Sequence, residues 1–249
     1  MLRERRLYRE DAVPALRALA SLDVNYPGAG GRPAAEAGWH IDTLVQPLPP
    51  EDAGAPVPGG SWETACRLVG DYRFAEPRIL RSVYDSTAPL LGRDMLLEGR
   101  FYGLRFDMGV RVTCVTDEVH GSGEDARRVW GWSYRTLQGH LEQGELTYEV
   151  VKHLHTGAVD FVITGYSRRA PIRNPLVRLG FMLFGRLTQR RFYRRSAKRL
   201  HRLLQGELRG LPAAAMDTHP SDDRVVVAPA TAPLPEAFRR IPRSHDRHP

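Results

Sequence analysis

V-W-G-W-S-Y-R-T-L-Q-G-H-L-E-Q-G-E-L-T-Y-E, residues 129–149, is the stretch whose reading decides the fold. Trp130, Trp132 and Tyr134 alternate with small or polar residues and so share one face of a strand. A second strand follows from Leu146, and the turn between the two carries Gly139, His140, Glu142, Gly144 and Glu145. Glycine lets a backbone turn or come close to another group, and here an imidazole and two carboxylates stand within a few positions of one another. Residues of this kind most often hydrogen-bond their own turn. They are also the chain's candidates for acid–base chemistry.

Outward from this hairpin the same texture repeats. Residues 77–84, 95–106, 110–119, 129–137, 146–153 and 158–166 carry β-branched or aromatic residues, with turn signals such as G-S-G-E-D at 121–125 and H-T-G at 155–157 between them. Six consecutive segments of this kind predict an antiparallel sheet, and such a sheet needs cover for its apolar face. Asn174-Pro175 is a cap and first-turn pair, and from there to Leu208 the chain holds no further proline. One long helix is predicted there, with Phe181, Phe184, Thr188, Phe192, Ser196, Leu200 and Leu203 along one face.

Upstream, residues 1–22 predict a short amphipathic helix and residues 38–48 a strand, while Ser61 starts a helix through Ala65, Leu68 and Val69. The Y-P-G-A-G-G-R-P run at 26–33 lacks the Lys-Ser/Thr ending of a phosphate loop and reads as a plain loop. Together these elements predict an α+β fold, a curved antiparallel sheet gripping a long C-terminal helix. The expected organisation is an N-terminal helix and loops at 1–60, the helix-grip domain at 61–210, and a proline-rich disordered tail at 211–249.

Composition bounds the function. With 42% hydrophobic residues the chain can bury a sizeable core, and no apolar run approaches the roughly 20 residues that span a bilayer. The first ten residues lack the apolar segment of a secretory signal, and two cysteines are too few for a disulfide scaffold; both point to a cytoplasmic setting. The net charge of +7 is concentrated, because residues 161–206 hold 12 Lys and Arg and no Asp or Glu. An anionic partner would meet that segment first.

The run from Trp132 to Glu145 resembles the F-x-Y-G-T-L-x-G-H-P-E-x-G-E signature of a widespread uncharacterised family, the domain of unknown function nineteen-ninety. Gly165-Tyr166-Ser167-Arg168-Arg169 is similar to that family's S-R-P corner, and Gln189-Arg190-Arg191 to its Q-R-R element. Arg135, Leu141 and Arg169 depart from the signature, standing where Gly, Pro and Pro are usual. The resemblance covers roughly residues 70–205 and implies kinship with START-like, polyketide-cyclase-like proteins, which hold hydrophobic ligands between sheet and helix.

The candidate ligand contacts are Trp130, Trp132, Tyr134, His140, Phe161, Phe192, Arg195 and Arg199, the aromatics lining a hydrophobic cavity and the arginines meeting an acidic head group. His140 with Glu142 or Glu145 is the candidate general acid and base of a hydrolase or cyclase alternative, although no nucleophile motif accompanies them. His153 and His155 share a strand end but lack a third ligand, so no metal and no cofactor is expected. The expected partner is a small hydrophobic ligand. The arginine-rich helix adds an anionic membrane surface as the other alternative, and the scarcity of interleaved aromatics argues against nucleic acid.

Overall fold

The protein's structure is a computed structural model that describes residues 12–26, 39–101, 104–140, 142–169, 175–213, 215–230 and 239–240; for residues 100–101, 104–106, 169, 175–186 and 239–240 the backbone alone is described. Helix α1 (Ala12–Ala18) leads into strand β1 (His40–Leu48), then helix α2 (Ser61–Gly70). Strands β2 (Leu80–Asp85), β3 (Asp94–Phe101), β4 (Leu104–His120), β5 (Arg127–Thr136), β6 (Glu142–His153) and β7 (Val159–Arg169) follow. Helix α3 (Pro175–Glu207) comes next, and β8 (Asp217–His219), β9 (Asp222–Ala228) and the two-residue β10 (Arg239–Arg240) end the order.

All the strands join one sheet in the order β1-β7-β6-β5-β4-β3-β2-β9-β8, with β10 pairing the start of β4. The ladder along the β1–β9 path is antiparallel throughout, and a register shift between Val112 and Cys114 on β4 is the bulge that bends it. The α+β helix-grip architecture follows, with α2 and α3 side by side on the concave face. Their buried side chains, Trp62, Ala65 and Leu68 from α2 and Phe192, Ala197, Leu200 and Leu204 from α3, join one core with Trp132, Tyr148, Phe161 and Ile163.

The convex face has its own cover. Val13, Leu16 and Leu19 from the α1 segment pack on Val83 of β2 and Leu96 of β3, with Leu137 and two valines of β9. On the outer face the Tyr26 and Trp39 rings meet edge-on at 5.4 Å. Arg135 lies over Tyr26 at 5.8 Å and Arg168 over Trp39 at 4.8 Å.

A buried ion pair fixes the connection from β1 to α2. Lys152 Nζ donates to Glu51 Oε2 at 2.5 Å and to the Ala55 carbonyl at 2.9 Å, while Glu51 also accepts the Trp62 and Val57 backbone N–H groups. Burial raises the pKa of Glu51, but Lys152 and these backbone donors outweigh it, and the net shift is downward. The carboxylate therefore stays charged and latches the loop to β6.

Three expectations are corrected. The predicted strand at residues 95–106 is two strands, because the chain reverses between Phe101 and Leu104, which are paired in register, and β4 begins earlier than residue 110. The disordered tail expected beyond residue 211 contains β8 and β9, since β9 pairs with β2 and β8 and buries Val226 in the concave core and Val225 and Val227 in the convex one. His155 lies in the turn after β6, so it does not share a strand face with His153, whose ring instead meets Asp160 at 3.2 Å. Residues 27–33 of the loop predicted at 26–33, and the residues before Ala12 in the helix predicted at 1–22, lie outside the described residues.

Strand β9 generates a stability test. Val226 is 4% exposed inside the concave core, whereas Val119 is 58% exposed. Val226→Ala should destabilise by about 2 kcal/mol and lower the thermal midpoint by roughly 4–8 °C, while Val119→Ala should leave it unchanged. Equal midpoints for the two variants would show that β9 does not pack as a sheet strand.

Candidate ligand-binding site between sheet and helix

The centre of the concave core is unusually rich in aromatic groups that also carry a polar atom. Strand alternation puts Trp132 and Tyr134 of β5, Tyr148 of β6 and Phe161 of β7 on the concave face. The segment leaving α2 adds Tyr72 and Phe74, and α3 adds Phe192 and Tyr193. The Phe74 ring meets Tyr148 at 4.6 Å and Phe161 at 5.3 Å, Trp132 meets Tyr148 at 5.1 Å, and Tyr72 meets both Trp132 and Tyr148 at 6.1 Å. These are the edge-on and tilted contacts that aromatic packing favours.

The polar atoms of this cluster are poorly served. The Trp132 Nε1–H is buried without a hydrogen-bond partner, and the buried Tyr72, Tyr148 and Tyr193 hydroxyls make no bond of good geometry, Tyr193 having Gln189 as its side-chain neighbour. The Tyr72, Tyr134 and Tyr148 hydroxyls face one another closely enough to affect each other's ionisation, yet no well-formed bond satisfies Tyr72 or Tyr148. Burial raises the pKa of Tyr134 to about 12 and holds those of Tyr72, Tyr148 and Tyr193 well above the usual value, so all four keep their protons. The centre of the core therefore presents neutral donors.

Tyr72 carries a second departure. Its φ of 57° is in the left-handed region, where it is the one non-glycine among the described residues. For a bulky side chain that conformation costs on the order of 1–2 kcal/mol. The chain accepts it and thereby turns the Tyr72 ring inward directly after α2.

The three sequence motifs meet at one end of this core. Gly144 pairs with Ser167 across β6 and β7, and Gln189 of α3 donates to the Ser167 hydroxyl at 3.3 Å. Thr136 Oγ1 accepts the Gly144 N–H at 2.9 Å and donates to Asn25 Oδ1 at 2.7 Å, tying the turn to the crossing segment. Gly165 faces α3, and a Cβ there would lie 2.5 Å from the Tyr193 hydroxyl.

The predicted site residues separate. Trp132, Tyr134, Phe161 and Phe192 belong to the aromatic core, and Trp130 lies at its side, under Gly70 at the end of α2. His140 Nδ1 accepts the backbone N–H of Glu142 at 2.9 Å, so its geometry is that of a turn cap. Glu145 pairs with Arg135 at 2.7 Å on the convex face, away from the concave core. Glu142 has the concave parity, and its charge bears on Tyr134 and Tyr193. Arg199 donates to the Arg73 carbonyl at 3.2 Å beside α2, and Arg195 is half-buried on the flank of α3. No cluster of three metal-ligating side chains occurs among the described residues.

Sequence reading missed Tyr72, Phe74, Tyr148 and Tyr193. Tyr148 was signalled by its alternation with Leu146 and Val150; Tyr193 adjoins the predicted helix face, which the structure rotates by one position toward Tyr193, Ala197 and Leu204. Tyr72 and Phe74 sit in an aperiodic connection, where no pattern marks them.

A curved antiparallel sheet closed by one long helix over buried aromatic donors defines the chain as an α+β helix-grip protein. Residues 25–199 match the family described as Domain of unknown function (DUF1990), and the chain belongs to that family. No curated protein matches the sequence. Among 60 solved chains that match is "Crystal structure of Ara h 8.0201", with 9% identity and a TM-score of 0.37 over 68% of this chain and 99% of that one. No helix among the described residues is long and apolar enough to cross a membrane.

The His140 geometry sets a pH dependence. Burial lowers its pKa from 6.5 to about 4, opposed by the bond from Glu142, so the unfolded chain binds the proton more readily than the native one. Stability should therefore fall as pH drops from about 6.5 towards 4. His140→Asn keeps an acceptor for the Glu142 N–H without the titration, and it should flatten this part of a denaturation-midpoint profile; an unchanged slope would assign it to other groups.

Proposed function

We propose that this protein binds a small ligand with a hydrophobic body in the space between sheet and α3, and that the ligand presents a hydrogen-bond acceptor to the aromatic donors. The observation that carries the reading is the convergence of four buried polar atoms in one aromatic core: the Trp132 Nε1–H has no partner, and the Tyr72, Tyr148 and Tyr193 hydroxyls meet only loosely aligned side-chain neighbours. Native interiors satisfy the great majority of such groups, and each one left unsatisfied costs roughly 1–3 kcal/mol. A ligand acceptor, such as a carbonyl or a ring oxygen, satisfies several at once.

The chemistry of the donors favours a neutral acceptor. Tyrosine hydroxyls and an indole N–H supply no formal charge, and Arg199 is occupied at the α2 end. An acidic head group would have to draw on Arg195, which is half-buried at the flank of α3, rather than on the centre. The START-like kinship implied by the motifs supports the same location for the ligand. Trp130, Phe161 and Phe192 would then bound the hydrophobic body.

Native mass spectrometry on protein purified gently from its own host tests this directly. The expected result is extra mass that denaturation releases. Tyr148→Phe removes one donor while keeping the ring, so the ligand-free protein should be as stable as before or slightly more so, and the extra mass should fall at least tenfold in occupancy. Loss of stability in Tyr148→Phe, with no extra mass on the unmodified protein, would overturn the proposal and make the hydroxyls structural.

A further inference from the structure

The outer face of α3 has a composition that the ligand site does not explain. At 100° per residue, Leu187, Arg190, Arg191, Arg194, Lys198 and Arg202 fall within one arc of about 120°, opposite Phe192, Tyr193, Ser196, Ala197, Leu200 and Leu204. All six outer residues are exposed and all six inner ones are buried. From Arg190 to Arg202 the ridge runs about 18 Å at 1.5 Å per residue.

This ridge is compensated at one end only. Asp42 reaches Arg190 at 3.7 Å, while Glu207 is taken by Arg67 and the Ala213 N–H. Arg191, Arg194, Lys198 and Arg202 have no ion-pair partner among the described residues. Like charges at i, i+4 repel along a helix, so Arg190, Arg194 and Lys198 weaken α3 when it stands alone. Burial lowers the pKa of Arg199, Glu76 opposes that shift, and Arg202 adds a smaller push downward.

We infer that this ridge docks on an anionic membrane surface. Leu187 is 65% exposed in the middle of the cationic arc, and Leu208 and Leu211, 43% and 68% exposed, lie past the far end of the helix. Exposed leucines beside clustered arginine are the pairing that enters a lipid interface while the cations meet phosphate. Nucleic acid is disfavoured because the two aromatics of this segment, Phe192 and Tyr193, are buried and offer no stacking face. The helix lies flat on the surface, its inner side still closing the core.

The test is co-sedimentation of the full chain with vesicles of phosphatidylcholine alone and of phosphatidylcholine mixed with phosphatidylglycerol. Binding is expected to the mixed vesicles only, fading as salt rises. The triple substitution Arg191→Glu, Arg194→Glu, Lys198→Glu should weaken it at least a hundredfold, given about fivefold per removed cation and added repulsion from each new carboxylate. Leu187→Ser should weaken it several-fold with the salt dependence kept. Both variants alter exposed positions, so an unchanged thermal midpoint should verify folding. Failure of the unmodified protein to bind mixed vesicles, equal binding to phosphatidylcholine, or unchanged binding by the folded triple variant would overturn the inference, as would preferential binding to single-stranded RNA over mixed vesicles.

Discussion

Gly165 has no side chain, and the hydroxyl of Tyr193 stands where one would begin. That close approach sets how deeply α3 sits on the concave face, and the rest of the grip depends on it. With α3 at this depth, Phe192 and Tyr193 reach the rings of β5, β6 and β7, and Gln189 reaches Ser167. A larger residue at 165 would lift the helix from a core whose packing tolerates little gap. The strand side imposes a matching constraint, since a Cβ on Gly144 would lie 2.2 Å from the Tyr166 carbonyl. Two motif glycines thus serve the spacing between elements rather than any chemistry of their own.

Charge is distributed between the two ends of the grip according to burial. Lys152 is 0% exposed and Glu51 3%, deep enough that removing either partner would strand a buried charge. Their pairing makes the 49–60 loop part of the core's wall, which leaves α2 firmly seated through the Trp62 indole on the Val150 carbonyl. On the exposed side of α3, Arg190 reaches Asp42, and Arg191, Arg194, Lys198 and Arg202 have no ion-pair partner among the described residues. Burial has selected for compensation inside, and solvent has permitted its absence outside.

Much of the architecture was legible because its signals are local. Asn174-Pro175 and the proline-free run to Leu208 mark α3 almost to the residue, and alternation around Trp132 marks β5. The C-terminal strands escaped because proline-rich composition on both sides of Val225-Val226-Val227 obscured a short β-branched run whose partner, β2, is over a hundred residues away. The site was legible in part for a similar reason. Trp132, Tyr134 and Phe161 lie on periodic strands, whereas Tyr72 enters by a left-handed backbone that no residue pattern announces. The motif turn drew attention to His140 and Glu145, but hydrogen bonding shows one capping the turn and the other pairing on the far face.

The departures from good local chemistry are clustered. Tyr72 combines a disfavoured backbone with a poorly bonded hydroxyl, the Tyr148 and Tyr193 hydroxyls are bonded no better, and the Trp132 Nε1–H has no partner. Four such groups at roughly 1–3 kcal/mol each approach the 5–15 kcal/mol by which a domain is stable. Phenylalanine at the three tyrosine positions would remove much of this penalty without changing the shape of the packed rings. The hydroxyls have a physical rationale if something polar sits among them, and a fixed ligand can satisfy convergent donors with less ordering than several separate waters. The same helix that covers this core carries the cationic ridge on its back, so a surface engaged by α3 would act on an element of the core itself.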